Sequence, residues 1–244
     1  MFMNKTFRKI LVVEIVVAVV VLIGLAAGRQ APANTSQSPT PSSSVTTPIN
    51  YVDSCKETIT PATSNELWDN APDLNLKDER NYWILESNCG QIVIKTFPSK
   101  APISVNNLKF LTDNDFYNNS VCHRLTKASF FVIQCGDPLG TGLGGAGYTI
   151  MEENKPKSGS NNYPKGTVAL AKSNIPNSSG AQFFIVYADT TLGPDYSIVG
   201  EVVSGLDIVE AIAAAGVVGN ANDGRPNQNF GFLATSFSTD NPAS

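Results

Sequence analysis

Apolar positions fall into two regimes along the chain. Ile10 to Ala27 is apolar throughout except for Glu14 and Gly24. It has no polar face, so it is not a surface helix, and it is long enough to span a bilayer with little tilt. Lys5, Arg8 and Lys9 precede the run and only Arg29 follows closely. That asymmetry puts the N-terminus in the cytoplasm and the rest outside. A cleaved signal peptide is the competing reading, with small-residue sites at Ala26-Ala27-Gly28 and Ala31-Pro32-Ala33. The length of the apolar core favours an uncleaved anchor within residues 1–29. Residues 30–50, dominated by Ser, Thr, Pro, Ala and Asn, read as a disordered tether. Residues 51–80, with Cys55, Trp68 and scattered apolar positions, read as an ordered but irregular lead-in.

From Asn81 the pattern becomes globular, and residues 81–238 form the main domain before a short tail, 239–244. Tyr82–Glu86 and Gln91–Phe97 alternate as strands do, and Asn88-Cys89-Gly90 between them signals a hairpin. Ala101-Pro102 opens a helix with Val105, Leu108 and Leu111 on one face. Short strands are expected at Val121–Leu125, Phe130–Gln134, Gly166–Ala171, Gln182–Tyr187, Tyr196–Val203 and Phe230–Phe237. A second helix, Leu206–Ala215, carries Leu206, Val209 and Ile212 on one face and ends at Gly216. Many strands and two helices predict a mainly β architecture: a closed, antiparallel barrel capped by helices.

Charge and chemistry narrow the function classes. The balance of 17 basic and 21 acidic residues leaves a net charge of −4, which disfavours a nucleic-acid binder. A single histidine, His123, excludes a multi-histidine metal centre. Cys122 is its sequence neighbour, so on a strand the two side chains face opposite sides and do not make a Cys–His dyad. Gly140-Thr141-Gly142-Leu143-Gly144-Gly145 fits G-x-G-x-x-G. The chain then runs into a polar stretch without helical period, so no helix N-terminus is available to hold a pyrophosphate. A tightly turning loop is the better reading, and no cofactor is expected.

The order of motifs is more telling than any one of them. His123-Arg124 is followed by Phe131-Val132-Ile133-Gln134, Gly136-Asp137, Gly140-Thr141-Gly142, Leu170-Ala171-Lys172-Ser173 and Ser179-Gly180-Ala181-Gln182-Phe183-Phe184. This series, from about Asn81 to Phe237, resembles the cyclophilin family of peptidyl-prolyl cis–trans isomerases. His-Arg-Leu-Thr and Gln-Cys-Gly-Asp-Pro look most like its actinobacterial, membrane-anchored branch. The resemblance implies a cyclophilin-like barrel of eight strands with a groove on its outer face. It implies Arg124 as the catalytic arginine, Gln134 as its support, and Phe131, Val132, Phe184 and Leu192 as a proline pocket. His123, Gln182, Ala171 and Lys172 would line the groove, with Tyr196 where many members have a histidine. The implied ligands are proline-containing segments of unfolded or exported proteins, bound by a monomer anchored to the cell membrane or, after cleavage, secreted. A weakly catalytic proline-binding chaperone on the same fold is the alternative. The chain departs from the commonest family pattern in two extra residues near Lys127-Ala128-Ser129. It also departs in Thr191, where some members have tryptophan, and in Lys172, where Asn or Arg is usual.

The expected compartment bears on the four cysteines, because thiols outside the cytoplasm tend to pair. Cys122 and Cys135 sit at the two ends of a predicted hairpin, within cross-strand reach. Cys55 in the lead-in and Cys89 in a turn would staple the lead-in to the barrel. The pairs expected are Cys55–Cys89 and Cys122–Cys135; two buried free thiols are the alternative for the second.

Overall fold

A computed structural model describes residues 55–244. The apolar run and the tether lie outside the described residues. Among the described residues no helix is long and apolar enough to cross a membrane.

The strands are β1 (Tyr82–Ser87), β2 (Gly90–Thr96), β3 (Ser120–Val121), β4 (Arg124–Thr126), β5 (Val132–Cys135), β6 (Thr167–Leu170), β7 (Phe183–Val186), β8 (Ile198–Ser204), β9 (Asp223–Gly224) and β10 (Gly231–Ser238). The helices are α1 (Pro102–Asp113) and α2 (Leu206–Ala215). Helix α2 has the bounds that its apolar stripe and terminal glycine predict. The lead-in from Cys55 to Arg80 contains no strand or helix.

Where the sequence suggested a closed barrel of eight strands, the structure has one curled antiparallel sheet of ten. Its order is β3-β10-β1-β2-β8-β6-β7-β5-β4-β9. The expected strand Val121–Leu125 is divided, because its backbone changes partner half-way. Cys122 N–H donates to the Phe230 carbonyl beside β10, whereas His123 N–H donates to the Gln134 carbonyl on β5. Strands β3 and β4 are therefore near opposite ends of the order, yet only Cys122 and His123 separate them. That short link forces the sheet to curl. The extra strand, β9, is a two-residue pairing with β4.

Alternation along each strand sorts side chains into two layers. Trp83, Leu85, Ile92, Ile94, Ile133, Val168, Phe183 and Ile185 fill the interior with Val105, Leu108 and Leu111 of α1 and Val209 and Ile212 of α2. Aromatic rings dominate the centre: Trp83 meets Phe183 edge-on at 4.7 Å, and Phe183 stacks with Phe232 at 6.0 Å. Both cysteine pairs are disulfides, Cys55–Cys89 and Cys122–Cys135. The second runs diagonally, not straight across. The register sets Arg124 against Gln134, which puts Cys135 opposite His123.

Candidate active site

The outward side of β5, β6 and β7 is where period-two alternation leaves apolar groups that the interior does not use. Val132, Ala169, Phe184, Val186 and the buried Tyr163 form a second apolar cluster there. Phe130, Ala171, Leu192 and Tyr196 are half-buried against it. Tyr196 meets Phe184 edge-on at 5.3 Å. Tyr163 supports this wall from below: its hydroxyl accepts from the Tyr196 N–H at 3.0 Å, and burial pushes its pKa up to about 12. The result is an aromatic and aliphatic surface on the outer side of the sheet.

A polar relay runs beside that surface, built on the same strands. Gln182 Nε2 donates to the Gly142 and Gly144 carbonyls at 3.0 and 2.8 Å, and its Oε1 accepts from Gln134 Nε2 at 2.8 Å. Gln134 Oε1 in turn accepts from Arg124 Nη1 at 3.2 Å. Each amide is oriented by the one before it, so the loop carbonyls fix the polarity of the whole chain. Asp223 grips Arg124 from the other side, accepting from Nε at 2.7 Å and from Nη2 at 2.6 Å. The Phe130 ring lies 5.6 Å from the guanidinium carbon. Hydrogen bonding to Asp223 raises the Arg124 pKa against the cost of burial, so the group stays cationic. These three bonds leave two of the five guanidinium N–H groups for a ligand.

The glycine-rich loop is organised around Asp137, which is fully buried. Its carboxylate accepts from the N–H groups of Leu139, Thr141, Gly142 and Gly144 and from the Thr141 hydroxyl. Burial works against ionisation there, but these bonds outweigh it and hold the carboxyl below its usual range. His123 packs behind the loop: a Cβ on Gly142 would come within 3.2 Å of its ring. Both ring nitrogens are buried without a partner. Burial lowers its pKa; nearby Asp137 opposes this and Arg124 adds to it. The imidazole is thus neutral near pH 7 and makes no hydrogen bond to the relay.

Arg124, Gln134 and Gln182 are brought into one relay, and Val132, Phe184, Ala171, Leu192 and Tyr196 into one cluster. Lys172 stands at the rim of an adjoining groove, its Nζ donating to the Ser173 carbonyl at 2.9 Å. Phe131 is the exception. Its ring faces Tyr187 at 5.9 Å, outside the cluster, and Phe130 takes the place beside Arg124. Both phenylalanines precede β5, and Phe130 is in an isolated bridge with Ala128; this local backbone path leaves Phe130, not Phe131, beside Arg124. The two extra residues lie in the same turn, where Ser129 has a φ of 69° and Lys127 N–H donates to the Asn222 carbonyl at 2.9 Å.

Asp223 was not visible in the sequence, and its position gives a testable expectation. If Arg124 acts on a bound peptide as the family resemblance implies, Asp223→Ala should lower kcat/KM by about tenfold through misplacement of the arginine. Losing the carboxylate also leaves the cation unneutralised. With the Arg124 side chain 38% exposed, solvent screens that gain, so positioning dominates. Thermal stability should change little, since exposed ion pairs contribute about 0–1 kcal/mol. Peptide kinetics and a melting curve on one preparation check both halves.

Comparison with known proteins gives the family. The profile of the family "Cyclophilin type peptidyl-prolyl cis-trans isomerase/CLD" matches residues 82–235. The chain is 38% identical over 151 residues to a probable peptidyl-prolyl cis-trans isomerase B of Mycobacterium tuberculosis, covering 57% of this chain and 49% of that protein. It is 39% identical over 153 residues to the Mycobacterium leprae counterpart, covering 58% and 52%. The chain thus spans about half the length of these curated relatives. A cyclophilin-type isomerase of Cryptosporidium parvum, crystallised in the presence of the dipeptide Ala-Pro, superposes with a TM-score of 0.57 at 25% identity. That match covers 65% of this chain and 99% of the other. The chain belongs to the family of cyclophilin-type peptidyl-prolyl cis–trans isomerases.

Proposed function

We propose that this chain accelerates cis–trans isomerisation of X-Pro bonds in proteins outside the cytoplasm, tethered to the membrane by the apolar run at residues 10–27. One observation carries the catalytic part: a permanently charged guanidinium is clamped by Gln134 and Asp223 beside an apolar, aromatic cluster.

The chemistry follows from the barrier. Rotation about a peptide bond costs about 18–20 kcal/mol because resonance must be broken. At 90° of twist the nitrogen recovers a lone pair. A cationic donor aimed at that nitrogen stabilises the twisted amide more than either planar form, which is what catalysis requires. Arginine suits the task, since its charge is fixed and its planar fork can be held on two edges while a third faces the substrate. Phe184, Val132, Leu192 and Tyr196 would hold the ring while the preceding carbonyl swings. No nucleophile, metal or cofactor enters this scheme.

The export reading rests on the basic residues before the apolar run and on the two disulfides, which suit an oxidising compartment. Proline isomerisation takes tens of seconds uncatalysed and can limit the folding of newly exported chains. The test is the refolding of a disulfide-intact protein whose slow phase is proline-limited. Substoichiometric full chain should accelerate that phase severalfold and leave the fast phase unchanged. An unchanged slow phase would overturn the proposal.

A further inference from the structure

The lead-in lies outside the family match, which begins at residue 82, yet it is bonded to the loop that walls the site. Ala62 N–H donates to the Pro138 carbonyl at 2.9 Å and Trp68 N–H to the Ala146 carbonyl at 2.8 Å. Asn65 Nδ2 donates to the Gly145 carbonyl at 2.9 Å. Gly147 follows with a φ of 93°, and a Cβ there would stand 2.7 Å from the Trp68 carbonyl oxygen. Only glycine permits that backbone approach. The segment is also pinned along its length. Cys55 is bonded to Cys89, Trp68 packs on Phe110 and Phe116 at 5.3 and 5.9 Å, and Asp78 and Arg80 pair with Lys109 and Asp113. It is a strap fixed to the domain at both ends and in the middle.

Strap and loop form part of the lining of an open groove of about 830 Å³, which includes Asn65, Leu67, Leu143, Lys172, Gln134 and Gln182. The last two belong to the Arg124 relay, so the groove is continuous with the candidate proline site. Leu67 is 66% exposed and Leu143 is 93% exposed. Single exposed leucines are ordinary. Two on the lining of one groove, beside a peptide-binding relay, offer apolar surface to a neighbouring side chain of the same peptide.

We propose that the strap is a specificity-determining wall: Leu67, held by the loop contacts of Asn65 and Trp68, selects X-Pro segments that carry a large apolar residue a few positions from the proline. This rests on the reading of the site as an X-Pro groove. It goes beyond that reading by naming a sequence preference and assigning it to a segment outside the family match.

The test uses peptides with one proline and a Leu, Ala or Lys placed in turn at each of three positions on either side. Full-length wild type, Leu67→Glu and the control Leu76→Glu are compared, the control lying on the lead-in away from this groove and 74% exposed. Both the isomerisation rate and the Kd by titration are read. At one position Leu should be favoured over Ala by about fivefold or more. Leu67→Glu should bring that ratio below about twofold while Leu76→Glu retains it. A preference that survives Leu67→Glu, or no preference at any position, overturns the proposal. A Leu67-dependent Kd preference without isomerisation would leave the wall standing and overturn the isomerase reading; isomerisation without preference would do the reverse. Neither binding nor isomerisation overturns both.

Discussion

Arg124→Ala is expected to lower kcat/KM by at least about tenfold, or ~1.4 kcal/mol of transition-state stabilisation, in a protein that still folds. The guanidinium is a permanent cation beside the apolar cluster, and in the proposed mechanism its role is felt only as the amide nitrogen regains its lone pair. The loss should therefore appear mainly in kcat. Folding should survive because the side chain is partly exposed and its charged partner, Asp223, is on the surface as well. Arg124→Lys sharpens the test. Lysine keeps the charge but presents a point donor on a flexible stem, so it cannot satisfy Gln134 and Asp223 together and still face a substrate. Most of the loss should remain. Activity within twofold of wild type in folded Arg124→Ala would show that catalysis does not depend on this cation.

The second large effect concerns stability. Cys55 and Cys89 are separated by 34 residues, so their bond closes the longer of the two disulfide loops. The chain-entropy relation gives about 3–4 kcal/mol for a loop of this size. For a domain this large that is a fall in Tm of roughly 10 °C. Cys55→Ala with Cys89→Ala should show that fall under non-reducing conditions. The Cys122–Cys135 loop spans only 13 residues and should contribute somewhat less. The first bridge also holds the start of the strap, so the double variant should lose protection from hydrogen exchange first at Ala62 and Trp68, whose backbone N–H groups bond the loop, ahead of the central strands. A Tm shift below about 2 °C would mean that the remaining lead-in contacts suffice and that the bridge adds little.

The strongly periodic elements were legible in the sequence. Helix α2 and the first hairpin follow directly from apolar spacing and terminal glycines, because burial of one face dictates which positions are apolar. The relay was legible only through the order of its motifs. The Arg124–Gln134 pairing joins two neighbouring strands and so falls within reach of motif reading. Asp223 lies 99 residues from Arg124, on a two-residue strand with no apolar alternation to betray it. Tyr163 lies beyond a polar stretch and is drawn into the site only by folding. The place of Phe130 beside Arg124 was not legible, because it is set by the turn before β5 and not by alternation within a strand. The lead-in was legible only as an irregular segment: backbone bonds to loop carbonyls leave almost no mark on side-chain pattern. Its cysteine spoke more clearly than its periodicity. The closed barrel became a curled ten-stranded sheet because one segment serves both ends, a change of partner that side-chain patterning does not encode.

We propose that this chain lowers the barrier to X-Pro rotation, with Arg124 as the group responsible. Exchange NMR of a proline peptide tests it most directly, with the full chain at catalytic concentration and mixing times far below the uncatalysed lifetime of tens of seconds. Cis–trans exchange cross-peaks are expected with wild type, and their loss or strong weakening with Arg124→Ala. Saturable binding of the peptide with no exchange cross-peaks in wild type would contradict the proposal.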